Sequence, residues 1–190
     1  PEIPISGFFL SEILAGKENA TPLEKAKLFY YYICKNITYS NVSFMHGPII
    51  PQMASRTITT RSGDCKDVST LFVAMCKEAG IKANLILVDT RSNGQKHLNL
   101  PSIEFDHCIA QLEADGKKYQ LELTNSKHPF GAGPVQDLGA NSLLIPREGD
   151  AEVNAVKPLE MPGRKKNTVH RQTEIKVENN DFNINRDNIN

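Results

Sequence analysis

An α+β fold is what this sequence predicts, on three observations. A capped amphipathic helix opens at Thr21, a second amphipathic helix opens at Cys65, and two alternating runs flank the turn dipeptide Asp115-Gly116. Helices and an antiparallel hairpin in one chain are the makings of such a domain. Its 190 residues allow one domain with a substantial core plus an appendage. We set the main domain at residues 1–146 and the extension at 147–190.

The first helix is marked by Thr21-Pro22-Leu23-Glu24, with threonine at the N-cap, proline at N1 and glutamate at N3. It runs to about Lys35, with Ala26, Phe29, Tyr30 and Ile33 facing inward. Tyr30, Tyr31 and Tyr32 cover more than one face, so some must be exposed or packed on another segment. From Ser40 to Gly63 the pattern dissolves into Pro, Gly, Ser and Thr, which reads as a long irregular loop.

Cys65 follows, in Arg61-Ser62-Gly63-Asp64-Cys65-Lys66-Asp67. Val68, Leu71, Phe72, Met75 and Ala79 repeat at helical spacing, and Cys65 heads the same face in the first turn. The positive end of the helix dipole and unpaired backbone N–H groups favour thiolate over thiol there. Asp64 as N-cap and Asp67 at N3 are explained by capping rather than by a metal. Their charges partly oppose thiolate formation, so Lys66 and the dipole should matter more. Cys76, on the same face, reads as a small buried hydrophobe.

A strand is expected over Asn84–Val88, then a loop from Asp89 to Glu104 in which Arg91, Lys96 and His97 are solvated or touch a ligand. Taking Asp115-Gly116 as a two-residue turn pairs Ala114 with Lys117, Leu112 with Tyr119, Ile109 with Glu122 and His107 with Thr124. His107, Ile109, Glu122 and Thr124 then share one face, and Glu122 is the diagonal neighbour of His107. Asp106 and Cys108 point the other way. His128, in Ser126-Lys127-His128-Pro129, is a rival base in a less favourable place. Arg147 to Asn167 reads as a linker, and His170 to Glu178 alternates like one strand of a further β-rich region. Asp181-Phe182-Asn183-Ile184-Asn185 mimics the start of a calcium loop, but Arg186 stands where glycine is required, so calcium is not expected.

Composition narrows the partners. Basic and acidic residues number 22 each, for a net charge of zero, so no global field favours nucleic acid or an anionic membrane. No nucleic-acid motif is present, and no apolar run is long enough to span a bilayer. Cys34, Cys65, Cys76 and Cys108 form no CxxC pair, which argues against a structural zinc site. No cofactor is expected. The chain starts Pro1-Glu2 without methionine or a signal peptide, which reads as a fragment of a longer protein whose other domains are its neighbours.

Cys65, His107 and Glu122 together suggest thiol chemistry. The cysteine attacks an acyl carbon, the imidazole moves the proton, and the carboxylate fixes the imidazole. Taken singly, each has a plain structural reading as core cysteine, strand histidine or solvated carboxylate.

Gly63-Asp64-Cys65-Lys66-Asp67, Ala79-Gly80-Ile81-Lys82-Ala83, Phe105-Asp106-His107 and Tyr119-Gln120-Leu121-Glu122-Leu123-Thr124 resemble the transglutaminase-like core, from about Leu23 to about Pro146. The likeness is nearest to bacterial members that carry this core behind an N-terminal β-rich domain. The resemblance implies a papain-like α+β fold, with the nucleophile helix packed on an antiparallel sheet. It implies Cys65 as nucleophile, His107 as base and Glu122 as third member, where the family pattern has aspartate followed by proline. In this fold class the oxyanion hole pairs the nucleophile's own N–H with an upstream donor, for which Gln52 and Asn41 are candidates. The expected activity is acyl transfer on protein or peptide amides, by hydrolysis sooner than by transamidation. The other reading is a non-catalytic module that binds peptide or protein. The resemblance also points to the bacterial periplasm or cell envelope.

Overall fold

The helix headed by Cys65 is the element around which the others pack. In a computed structural model, described for residues 7–41, 50–93, 105–147, 156–160, 170–178 and 181–189, the helices before it are α1 (Gly7–Ile13), α2 (Pro22–Asn36) and α3 (Ala54–Thr60). The Cys65 helix itself is α4 (Cys65–Glu78), which touches α2 and α3 and lies on the sheet.

Helix α2 starts where the capping signals place it. Thr21 Oγ1 accepts from Glu24 N, and the Glu24 carboxylate accepts from Thr21 N at 2.8 Å. Ala26, Phe29, Tyr30 and Ile33 are buried. The three tyrosines divide as their helical angles require. Tyr30 is fully buried and its hydroxyl donates to the His128 carbonyl at 2.9 Å, Tyr31 is 54% exposed, and Tyr32 packs edge-on against Phe9 of α1. A buried phenol needs such an acceptor.

The stretch expected to be irregular contains a helix. Residues 54–60 form α3, and Ser62–Gly63 form a short strand β2 that pairs in parallel with β1 (Thr38–Tyr39). Thr57, Ile58, Thr59 and Thr60 are poor helix formers, so the sequence gives little sign of α3. Burial of Ala54 and Thr57 and packing against α4 support it, while the hydroxyls of Thr59 and Thr60 bond back to the carbonyls of Ser55 and Arg56. It ends at Arg61 in the left-handed region (φ 50, ψ 32), which turns the chain into β2.

The main sheet is antiparallel throughout. Its strands are β3 (Lys82–Asp89), β4 (His107–Ala114), β5 (Lys117–Leu121), β6 (Asn141–Ile145) and β7 (Lys157–Pro158), in spatial order β5-β4-β3-β6-β7. The hairpin has the register read from Asp115-Gly116, with Ala114 opposite Lys117 and Leu112 opposite Tyr119. Both turn residues have positive φ (52 and 68), as a type I′ turn demands. Ala83, Ala110, Leu112 and Leu121 share one face and pack with Phe29, Leu71, Phe72 and Met75. By alternation Ile86, Val88 and Ile109 face the other side, in a smaller cluster with Ala140 and Leu159. This is a papain-like α+β arrangement, with α4 laid on an antiparallel sheet.

The chain divides into two compact units, Pro1–Leu159 and Glu160–Asn190. Strand β7 and the backbone bonds joining Leu159 to Gly139 and Ala140 carry the first unit past Pro146. In the second unit β8 (His170–Glu178) pairs antiparallel with β9 (Asp181–Ile189). The stretch resembling a calcium loop is therefore extended strand. Lys96 and His97, and most of the expected linker from Arg147 to Asn167, lie outside the described residues. No helix among the described residues is long and apolar enough to cross a membrane.

Tyr30→Phe is expected to lower the unfolding free energy by about 1 kcal/mol, because it leaves the His128 carbonyl without its donor. Tyr31→Phe should leave stability unchanged. Urea midpoints of the two variants check the difference.

Candidate active site

Two aspartates aim the start of α4. Asp64 accepts from Lys66 N at 2.9 Å and Asp67 N at 3.2 Å, and Asp67 Oδ2 accepts from Asp64 N at 3.0 Å. This reciprocal cap is the one read from the sequence. It leaves out the Cys65 N–H. Asp67 Oδ1 also accepts from Gln52 N at 2.8 Å, and Gln52 Nε2 donates to the Ser62 carbonyl at 2.9 Å. The chain before Cys65 is thereby pinned to the helix it enters. Gly63 is needed at this crossing, since a Cβ there would stand 2.6 Å from Asp67 Cβ.

Lys66 joins the cap. Its Nζ lies 2.6 Å from Asp64 Oδ2, both side chains being buried. Its charge compensates the buried cap carboxylate, which would otherwise be costly there.

His107 is the first residue of β4 and faces the same side as Ile109, away from the α4 layer. At the strand's end its ring is not enclosed by the sheet and meets groups from both layers. Its Nε2 lies 2.7 Å from Glu122 Oε2, and Cys65 is close enough to raise the ring's pKa. With Nε2 donating to the carboxylate, Nδ1 is the nitrogen left for sulfur. Glu122 sits one residue past the end of β5, 4% exposed. Its other oxygen accepts from Thr124 N at 2.7 Å and Thr124 Oγ1 at 2.6 Å. Asp106 turns away as the alternation predicted, accepting from Thr90 N and Oγ1, each at 2.7 Å.

Electrostatics follow from this packing. Burial disfavours the charged imidazole, but hydrogen bonds to Cys65 and Glu122 and the charges of Glu122 and Asp137 outweigh it, raising His107 to about 10. Burial works against the Glu122 carboxylate too, yet His107 and Thr124 hold it below the usual carboxylate range. Both shifts favour the imidazolium–carboxylate form of the pair.

Two neighbours were missed by sequence reasoning. Asp137 is 2% exposed, with Oδ2 3.9 Å from His107 Nε2. It lies in a turn-rich stretch without periodicity, so no local pattern marks it. Burial, with Glu122 and Asp106 adding to it against the opposing pull of His107, raises it to about 6. Tyr39, on β1, is raised to about 12 by burial, with Cys65, Glu122 and Asp64 contributing. The only hint of Tyr39 in the sequence is its place just ahead of the irregular stretch.

Asn41 is exposed, Gln52 turns its side-chain donor to Ser62, and Arg91 is exposed in a single 3-10 turn. His128 is tied in through its main chain. Cys76 and Cys108 are buried, and burial pushes both thiols up. Ligand atoms of His107, Glu122 and Asp137 lie within 4.8 Å of one another. The 2.7 Å His107–Glu122 separation is a hydrogen bond, however, and is shorter than the edge of about 3.3 Å between two ligands of one tetrahedral ion. We assign no metal to this set.

Because His107 stands above its ordinary 6.5 when folded, proton binding favours the folded state. The pH-dependent stability of wild type over His107→Ala is expected to be full below about 6.5 and to fade as pH rises through about 10. Urea unfolding of both proteins across that range tests it.

A family model described as the transglutaminase-like superfamily matches residues 9–121, which include Cys65 and His107 and stop one residue short of Glu122. Against the curated proteins the sequence finds no match. A candidate protease from Parabacteroides distasonis shares the fold with a TM-score of 0.59 at 14% identity, over 80% of this chain and 27% of its own length. A candidate cysteine protease from Cytophaga hutchinsonii aligns more loosely, with a TM-score of 0.41 at 21% identity, over 65% of this chain and 44% of its own. The chain thus covers less than half of either neighbour. With more than half of its own length matched by the family model, the chain belongs to the transglutaminase-like superfamily.

Proposed function

We propose that the chain catalyses thiol-dependent acyl transfer on protein or peptide amides, with hydrolysis as the outcome. The observation that carries this reading is the meeting of Cys65, at the head of a helix, with a His107 ring held by Glu122 at 2.7 Å.

Each group then has one task. The Cys65 sulfur, as the thiolate paired with the His107 imidazolium, adds to the amide carbonyl carbon, and the new oxyanion is met by the Cys65 N–H, which the cap leaves out. His107 gives its proton to the leaving amine as the C–N bond breaks, which leaves a thioester on Cys65. Water adds to the thioester as His107 takes its proton, and the acid departs as sulfur leaves as a thiolate beside the restored imidazolium. Glu122 keeps Nε2 protonated and Nδ1 turned to sulfur throughout. We favour water over an amine because no group at the site marks an amine channel. We read Gln52 as a brace for the loop that presents Cys65.

Cys65→Ala is expected to abolish turnover of a peptide-amide library. Glu122→Gln should lower kcat on the order of 10²- to 10⁴-fold without loss of folded signal. Before any substrate is known, mass-spectrometric mapping of iodoacetamide labelling tests the site itself. Cys65 should label ahead of Cys34 and lose that lead in His107→Ala. Labelling of Cys65 no faster than Cys34 would overturn the enzyme reading and leave a binding module.

A further inference from the structure

Asp137 is a carboxylate in an expensive place. It is 2% exposed, and among the described residues neither oxygen has a hydrogen-bond partner. Burying an ionised carboxylate without compensation costs several kcal/mol, so such a group persists where an opposite charge faces it. The described surroundings offer one. His107 Nε2 is 3.9 Å away, too far for a hydrogen bond and within ion-pair range. Glu122 cannot relieve Asp137, because both of its oxygens are already engaged, one by Thr124 twice and the other by His107.

The groups around the ring come from separate elements. Cys65 heads α4, Glu122 follows β5, and Asp137 comes from the segment leading into β6. Asp106, just before β4, adds negative charge beside Asp137. The segment carrying Asp137 is held by its main chain, Asp137 N donating to Pro134 O at 3.0 Å and Ala140 N to Asp137 O at 3.0 Å. Its side chain is therefore free of any bracing duty among the described residues.

We infer that Asp137 is a positioning residue for His107, a second buried carboxylate that acts by charge and not by hydrogen bond to keep the ring protonated beside Cys65. Glu122 supplies direction, since it alone shares the Nε2 proton. Asp137 supplies field. A more basic imidazole takes a proton from water more readily, so the effect falls on thioester hydrolysis. The inference rests on the thiol-chemistry reading for its purpose, but its physical content does not require turnover.

The experiment follows from that separation. The full chain is labelled at histidine Cε1 with carbon-13 in a Cys65→Ser background, which removes the thiol's own titration. The His107 resonance is assigned by its loss in His107→Ala. Asp137→Asn keeps the shape and removes the charge, and should lower the His107 midpoint by about one pH unit. A residue that merely braces its loop would lower thermal stability and leave the midpoint in place. Where Asp137→Asn does not fold, the protein with Asp137 intact carries the test. Its His107 resonance should show a second, smaller step near pH 6 as Asp137 titrates. An unmoved midpoint in a folded Asp137→Asn protein, or no such step, overturns the inference. Slow labelling of Cys65 with a shifted His107 midpoint would sink the proposed function and keep Asp137's role. Fast labelling with an unmoved midpoint would do the reverse.

Discussion

Two aspartates three residues apart decide how the reactive end of this molecule is built. Asp64 and Asp67 each accept the other's backbone N–H, and the surplus oxygens hold Lys66 Nζ and Gln52 N. One small motif thus starts α4, seats a buried cation and ties down the incoming chain. The short parallel pair between β1 and β2 extends the tie to Tyr39. Gly63 is a consequence, since two backbones meet there with no room for a Cβ. Without this knot Cys65 would head a frayed helix end, where neither its direction nor its N–H would be set.

The histidine's position at the very start of β4 gives it a double access that a mid-strand residue would lack. The α4 layer and the Ile109 layer lie on opposite faces of the sheet, and His107 formally belongs to the second. Only at the strand's end can a ring of that layer also come beside the thiol that heads the helix layer. Glu122 lies just past the end of the neighbouring strand, and the longer side chain of glutamate spans the diagonal to Nε2 at 2.7 Å. Thr124 fixes the rotamer that the extra methylene would otherwise leave loose.

Charge at the site is concentrated and nearly dry. One imidazole faces Glu122 and Asp137, with Asp106 behind them, and these carboxylates come from three different segments of chain. In low dielectric such an arrangement holds the ring charged against the cost of burial. The same burial takes Cys76 and Cys108 out of reach as thiolates, so four cysteines do not mean four reactive thiols.

What the sequence by itself determined is what depends on neighbours along the chain. The Thr21-Glu24 and Asp64-Asp67 caps, the inward face of α4, the register set by Asp115-Gly116, and the shared face of His107 and Glu122 are all written in spacings of a few residues. Backbone geometry converts those spacings directly into direction. The tertiary structure alone decided the rest. Helix α3 forms from β-branched residues because α4 covers it, Lys66 turns to Asp64 because both are shut away from water, and Tyr39 and Asp137 join the site across long separations in sequence. Burial and the meeting of distant segments settle those contacts, and neither leaves a local period for a sequence to display.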